Sequence, residues 1–251
     1  MRKISLIITM LAVVAIACKH DNKGDKQKNF VEEKDAIGTN KAEELWSQLF
    51  NGENLDGWKA FNADSISSQW QVKDGVIVFT PAPGKRTSTE NLITKNTYTN
   101  FELSLEWKIS KGGNSGIMWG VQEGEAFSEP YLTGPEIQIL DNELHPDATN
   151  GPIRQAGALY DMMPPKSDKT KNAGKWNKTV IKIDHNTNKG SVRLNGFTIN
   201  EFPVHGKEWK DMIKSSKFKN WENFGKTRKG HIALQDHSDK VWFRNIKIKE
   251  L

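Results

Sequence analysis

FELSLEWKI, residues 101–109, alternates apolar and polar side chains without a break. Successive side chains of an extended chain point to opposite faces. Leu103, Leu105, Trp107 and Ile109 therefore share one face, and Glu102, Ser104, Glu106 and Lys108 share the other. This is the pattern of a strand with one face on a core. Working outward, similar short runs recur: WQVKDGVIVFT, SGIMWGVQ, PEIQILD, NKTVIKID, GSVRLNGFTI, HIALQD and VWFRNIKI. Gly, Asn, Asp and Pro separate them. Asp74-Gly75 falls between two such runs and predicts a hairpin turn. IKIDHNTNKGSVRLNGFTI gives two more linked strands, with His185 expected exposed in their turn. EWKDMIKSSKFKNW reads as a short amphipathic helix inserted between strands. The fold class is all-β, a sandwich or jelly roll with that helix inserted. Leu103, Leu105, Trp107, Ile137, Ile139, Ile232 and Leu234 are expected between two sheets. Of nine tryptophans, Trp70, Trp107 and Trp242 are assigned to the core.

The ends of the chain carry other information. Arg2 and Lys3 precede an apolar run, Ile4 to Ala17, that stops at Cys18, the only cysteine. A basic start and a short apolar stretch read as an export signal, too short to span a membrane. VAIAC resembles a bacterial lipobox, so residues 1–17 are expected to be a lipoprotein signal peptide and Cys18 the lipidated residue. Residues 18–42 are charged and nearly free of large apolar side chains, a tether that cannot bury enough surface to fold. Residues 43–251 suit one domain. Lys19 after the cysteine points to the outer membrane of a bacterial cell envelope, on its periplasmic or outer face. The net charge of +5 is spread along the chain, with no basic stripe interleaved with stacking aromatics, so nucleic acid is not an expected partner. A lone cysteine leaves no disulfide and no thiolate metal site.

FNGENLDGW (50–58), GNSGIMW, PEIQILDN, RQAGALYDM and the ending GHIALQDHSDKVWFRNIKIKEL together resemble the DUF1080 family, over nearly all of the chain after Glu43. Its members are described as 3-keto-disaccharide or 3-keto-glycoside hydrolases, many of them lipoproteins. The resemblance implies a concanavalin A-like jelly roll with a ligand groove, and cleavage of glycosidic bonds in oxidised glycosides or oligosaccharides.

A ketone at C3 of a sugar acidifies the C2 hydrogen. A base that removes it can drive loss of the C1 oxygen, after which water adds. Such an elimination needs a base, donors for the enolate oxygen and an acid for the leaving group, but no nucleophile and no redox cofactor. In PEIQILDNELHPD (135–147), Glu136 and Gln138 share a strand face. Glu136, its pKa raised by partial burial, is the expected base, with His145 or His237 as the alternatives. Gln138 would hold a hydroxyl or the ketone oxygen. Asp141 follows at the strand end, and Gln235 alternates with His237 in ALQDHSDK. Asn114 at a strand start, Trp119, Glu106 and Arg154 with Tyr160 and Asp161 complete the expected substrate contacts. A divalent cation would find ligands in Asp141, His145, Asp147 and His237, although no tight motif such as HExxH fixes one. Two other readings stay open: a two-carboxylate glycoside hydrolase, and a non-catalytic, lipid-anchored glycan-binding module.

Overall fold

The computed structural model describes residues 45–84 and 90–251. The expected signal peptide, Cys18 and the tether lie outside the described residues. The described residues belong to one compact unit, Glu44–Leu251. Its strands begin with β1 (Ser47–Gln48), β2 (Trp58–Ala60), β3 (Trp70–Lys73), β4 (Val76–Phe79) and β5 (Leu92–Thr94). There follow β6 (Phe101–Ile109), β7 (Asn114–Val121), β8 (Glu136–Leu140), β9 (Asn177–Asp184), β10 (Lys189–Leu194) and β11 (Phe197–Phe202). Helix α1 (Gly206–Lys214) comes next, then β12 (His231–Leu234) and β13 (Val241–Glu250).

One sheet has the order β11-β10-β9-β6-β13-β4-β3, with β1 also paired to β13, and the other has the order β2-β5-β12-β7-β8. The two stack as a jelly-roll sandwich. FELSLEWKI is β6, flanked by β13 and β9 in antiparallel register. Its Leu103, Leu105, Trp107 and Ile109 join Ile137, Ile139, Ile232 and Leu234 of the facing sheet in one buried cluster. The Trp107 indole N–H donates to Thr179 Oγ1 at 2.8 Å, so the polar edge of this buried ring is satisfied. Asp74 and Gly75 both have positive φ (52° and 73°), the backbone that a two-residue turn between twisted strands requires.

Four expectations fail here. Trp242 is only half-buried, and it lies on the outer face of its sheet with the Lys108 ammonium 4.5 Å from its ring centroid. Glu106 is on that same outer face, where Arg244 Nε (2.9 Å) and Asn245 Nδ2 (3.0 Å) occupy its carboxylate. Trp119 belongs to the core, stacked on Phe202 of the facing sheet with centroids 6.0 Å apart. His185 is buried against the His205 ring rather than exposed in its turn.

The outer face of the smaller sheet is covered in part by a second apolar cluster, including Ile93, Met118 and Ala233. Strand β8 is the last strand of that sheet, yet its edge is not open. Gly157–Tyr160 runs along it with three backbone bonds, Gly157 N to Gln138 O (2.8 Å), Gln138 N to Ala158 O (3.1 Å) and Tyr160 N to Glu136 O (2.9 Å). Helix α1 buries Trp209 and leads to a 3₁₀ turn, Lys217–Asn220, that comes over the same face.

Candidate active site

The register of β7 and β8 sets Met118 opposite Glu136 and Gly116 opposite Gln138, so these positions share the outer face. Gln235 N donates to Gly116 O at 2.9 Å and brings the exit of β12 to the same place. Asn114, Glu136, Gln138, Gln235 and His237 thereby floor a pocket of about 450 Å³. Its walls are Tyr131, Phe218 and Trp221 on one hand and Tyr160 and Lys217 on the other. Phe218 and Trp221 meet edge-to-face at 5.0 Å, and such aromatic surfaces suit the apolar face of a sugar ring.

Glu136 lies across Gly116, where any Cβ would run into its Oε1. It is only 7 % exposed, and among the described residues no hydrogen bond or ion pair ends on its carboxyl. Burial pushes its pKa up to about 8, with Lys217 opposing the rise and Asp147 adding to it. Three carboxamide oxygens beside it, Asn114 Oδ1, Gln138 Oε1 and Gln235 Oε1, are buried with no hydrogen-bond partner. An unpaired buried acceptor costs stability, so three of them in one pocket mark places for a ligand's hydroxyl groups. Among the described lining residues Glu136 is the single carboxyl, whereas an oxocarbenium mechanism uses two.

Behind the floor stands a charged cluster. Arg154 binds Asp161 Oδ1 (2.8 Å from NH2) and Asp147 Oδ1 (3.2 Å from NH1), and the Tyr160 hydroxyl donates to Asp147 Oδ2 at 2.8 Å. Burial, then the bond to Asp147, raise the Tyr160 pKa, so the phenol stays protonated. Arg154 therefore orders the wall and does not line the pocket. Asp141 is likewise structural: its carboxylate accepts Gly112 N (2.7 Å) and Glu143 N (3.2 Å) and closes turns at the ends of β7 and β8. Of the expected site residues the pocket unites Glu136, Gln138, Asn114, Gln235 and His237. It excludes Glu106, Trp119, Asp141 and Arg154. His145 stands outside the lining, edge-on to His237 at 6.3 Å between centroids. Lys217, Phe218, Trp221 and Tyr131 were not foreseen.

His145, His237 and Asp239 offer three atoms within 4.8 Å of one another, a set that could in composition hold a cation. His145 Nδ1 accepts the Asp147 N–H at 3.1 Å. Asp239 in turn accepts Asn114 N at 3.0 Å and is raised in pKa by burial. Among the described residues, His145, His237 and Asp239 are the set whose donor atoms suit a divalent cation.

Residues 45–249 match the model of the 3-keto-alpha-glucoside-1,2-lyase-like domain. A 3-keto-disaccharide hydrolase of Bacteroides thetaiotaomicron is 38% identical over 228 residues, covering 81% of this chain and 77% of that protein. A Parabacteroides distasonis protein, provisionally described as a glycosyl hydrolase, has a crystal structure that superimposes with a TM-score of 0.78 at 32% identity, over 84% of this chain and 96% of that one. A second such protein of the same organism gives 0.63 at 28% identity, over 82% and 99%. With the family model spanning almost every described residue, this chain belongs to the 3-keto-alpha-glucoside-1,2-lyase-like family.

Proposed function

We propose that the protein cleaves the glycosidic bond of 3-keto-glycosides by elimination followed by hydration. The observation that carries this reading is the single buried carboxyl, Glu136, set among three unpartnered carboxamide oxygens in a sugar-sized pocket. Glu136 in its ionised form takes the C2 proton. The electron pair left at C2 forms the C2=C3 enolate. When the C3 carbonyl re-forms, C1=C2 forms and the C1–O bond breaks. The proton gained by Glu136 passes to the departing oxygen, and water then adds across C1=C2, its oxygen to C1 and a proton to C2, to give the free 3-keto sugar. Asn114, Gln138 and Gln235 accept from ring hydroxyls and fix which face meets the base. The match to a 3-keto-disaccharide hydrolase supports the substrate class. A pKa near the working pH suits a group that must first accept and then return a proton.

The test is incubation with a 3-keto-glycoside and its unoxidised parent in deuterated water. Cleavage of the keto compound alone, with deuterium at C2 of recovered substrate or product, is expected. Cleavage of the parent at the same rate defeats the elimination. The lipobox-like VAIAC supports anchorage of the enzyme in the cell envelope through Cys18. Cys18→Ser should move it from the membrane fraction to the soluble one, and unchanged partition would refute the anchor.

A further inference from the structure

Lys217 is the one lysine or arginine among the described residues that line the pocket. Its ammonium lies 4.2 Å from the centroid of the Tyr160 ring and 5.1 Å from that of Phe218. Among the described residues no carboxylate pairs with it and no hydrogen bond reaches its Nζ. Other lysines of the chain that are drawn to carboxylates do form pairs, as Lys166 does with Glu201 at 2.7 Å. The placement of Lys217 is also built. Its backbone N–H donates to Asp161 Oδ2 at 2.7 Å, while Asp161 Oδ1 holds Arg154. Asp161 itself sits at a positive φ of 57°, a backbone conformation that non-glycine residues adopt at some cost. Ser216 Oγ caps the 3₁₀ turn that begins at Lys217 by accepting Phe218 N at 3.1 Å.

The Lys217 side chain is exposed at the edge of the pocket, lies over two rings and is in no ion pair, while Glu136, Asp161 and Asp147 act on it from farther off. Building on the elimination reading above, we propose that the Lys217 ammonium is the electrophile of the reaction. It takes the C3 carbonyl oxygen and holds the charge that collects there when C2 loses its proton. A base and an electrophile serving an α-carbon and its carbonyl oxygen need a gap between them, each about 3 Å from its own atom. Glu136 and Lys217 meet that need: both face the pocket, no ion pair joins them, and each lies within the field of the other. Desolvation lowers the Lys217 pKa, and the charges of Glu136, Asp161 and Asp147 oppose the fall. Asn114, Gln138 and Gln235 also offer neutral amide N–H donors, but Lys217 is the one that brings a full positive charge to the enolate oxygen.

The experiment compares Lys217→Met and Lys217→Arg with the parent on a 3-keto-glycoside, reading kcat, KM and C2 deuterium exchange. Loss of a preorganised donor to an oxyanion typically costs about 10²–10³-fold in kcat. Lys217→Met should lose that much in both kcat and exchange, and should weaken binding of the keto sugar more than that of the unoxidised glycoside. Lys217→Arg should recover part of both. Parental kcat in Lys217→Met would overturn the assignment, as would equal weakening for keto and unoxidised sugars with kcat retained. Borohydride reduction that fixed the sugar to Lys217 would replace the electrostatic role by an imine. If Lys217→Met does not fold, Lys217→Gln removes the charge and keeps a polar head, with the same outcomes. A parent enzyme inert on every 3-keto sugar would instead sink the elimination reading itself.

Discussion

Replacing Glu136 by Gln keeps the shape of the side chain and removes both the proton acceptor and the buried ionisation. Two effects follow, in opposite directions. Loss of a general base costs roughly 10²–10⁴-fold in rate, so kcat on a 3-keto-glycoside should fall by that order. Stability should rise, and the structure sets how the gain depends on pH. Folding moves the Glu136 pKa from 4.5 up to about 8. A carboxyl raised on folding binds its proton more tightly in the native state, so it contributes no penalty below its unfolded pKa. A penalty then grows as pH rises from about 4.5 toward about 8, and it is constant above. At 1.36 kcal/mol per pKa unit, the difference between variant and parent should widen by about 4 kcal/mol between about pH 5 and about pH 9. For a domain of this size that corresponds to a relative Tm gain of roughly 8–16 °C. Thermal and urea melts of both proteins at the two pH values read it directly. Any fixed cost of burying the amide cancels in the comparison. A Tm difference that stays constant across the range would refute the claim that Glu136 ionises against its surroundings, and with it the argument for a tuned base.

The same ionisation should shape catalysis. kcat/KM should rise about tenfold per pH unit below about 8 and then level off, because only ionised Glu136 accepts the proton; a profile flat through that range would refute it. Gln138→Leu removes an unpartnered buried oxygen, so it should stabilise slightly while weakening substrate by about 1–3 kcal/mol, or roughly 5–150-fold in KM. Calorimetry beside steady-state kinetics reads both, and unchanged KM would mean that no hydroxyl meets that oxygen. Gly116→Ala places a methyl group where the Glu136 carboxyl lies. It should cut kcat at least tenfold with a native circular dichroism spectrum, and parental kcat would show that the base works from another position.

The sandwich was legible because alternation is a two-state signal and β6 carries it without ambiguity. The floor of the pocket was legible for the same reason. Glu136 and Gln138 are two apart on one strand, and Gln235 and His237 continue the alternation past the end of β12. Parity says which residues share a face, but not which sheet that face belongs to. Glu106 has the parity of a ligand-facing residue and sits on the wrong sheet. Trp119 lies in the part of β7 that is buried on both faces, so alternation could not orient it. Asp141 looked like an extension of the strand face, but two turns claim its oxygens. The cationic and aromatic wall stayed hidden because its parts come from far apart in the chain. Lys217, Phe218 and Trp221 arrive through a helix and a 3₁₀ turn, and no periodicity links them to β8. Asp161, whose side chain fixes where Lys217 begins, gave no sign of that bond in the sequence.

The strap Gly157–Tyr160 has a consequence for the behaviour of the protein at high concentration. Without it, β8 would present a free edge to which a strand of another molecule could add, the usual entry to sheet-mediated self-association. The strap occupies that edge with backbone of the same chain, while its last residue, Tyr160, shapes the wall and the next, Asp161, seats Lys217. Solubility and turnover are therefore tied to one short segment. A lesion that peels Gly157–Tyr160 from β8 should appear as aggregation and inactivity together, in proportion, and mutations selected to suppress one should restore the other.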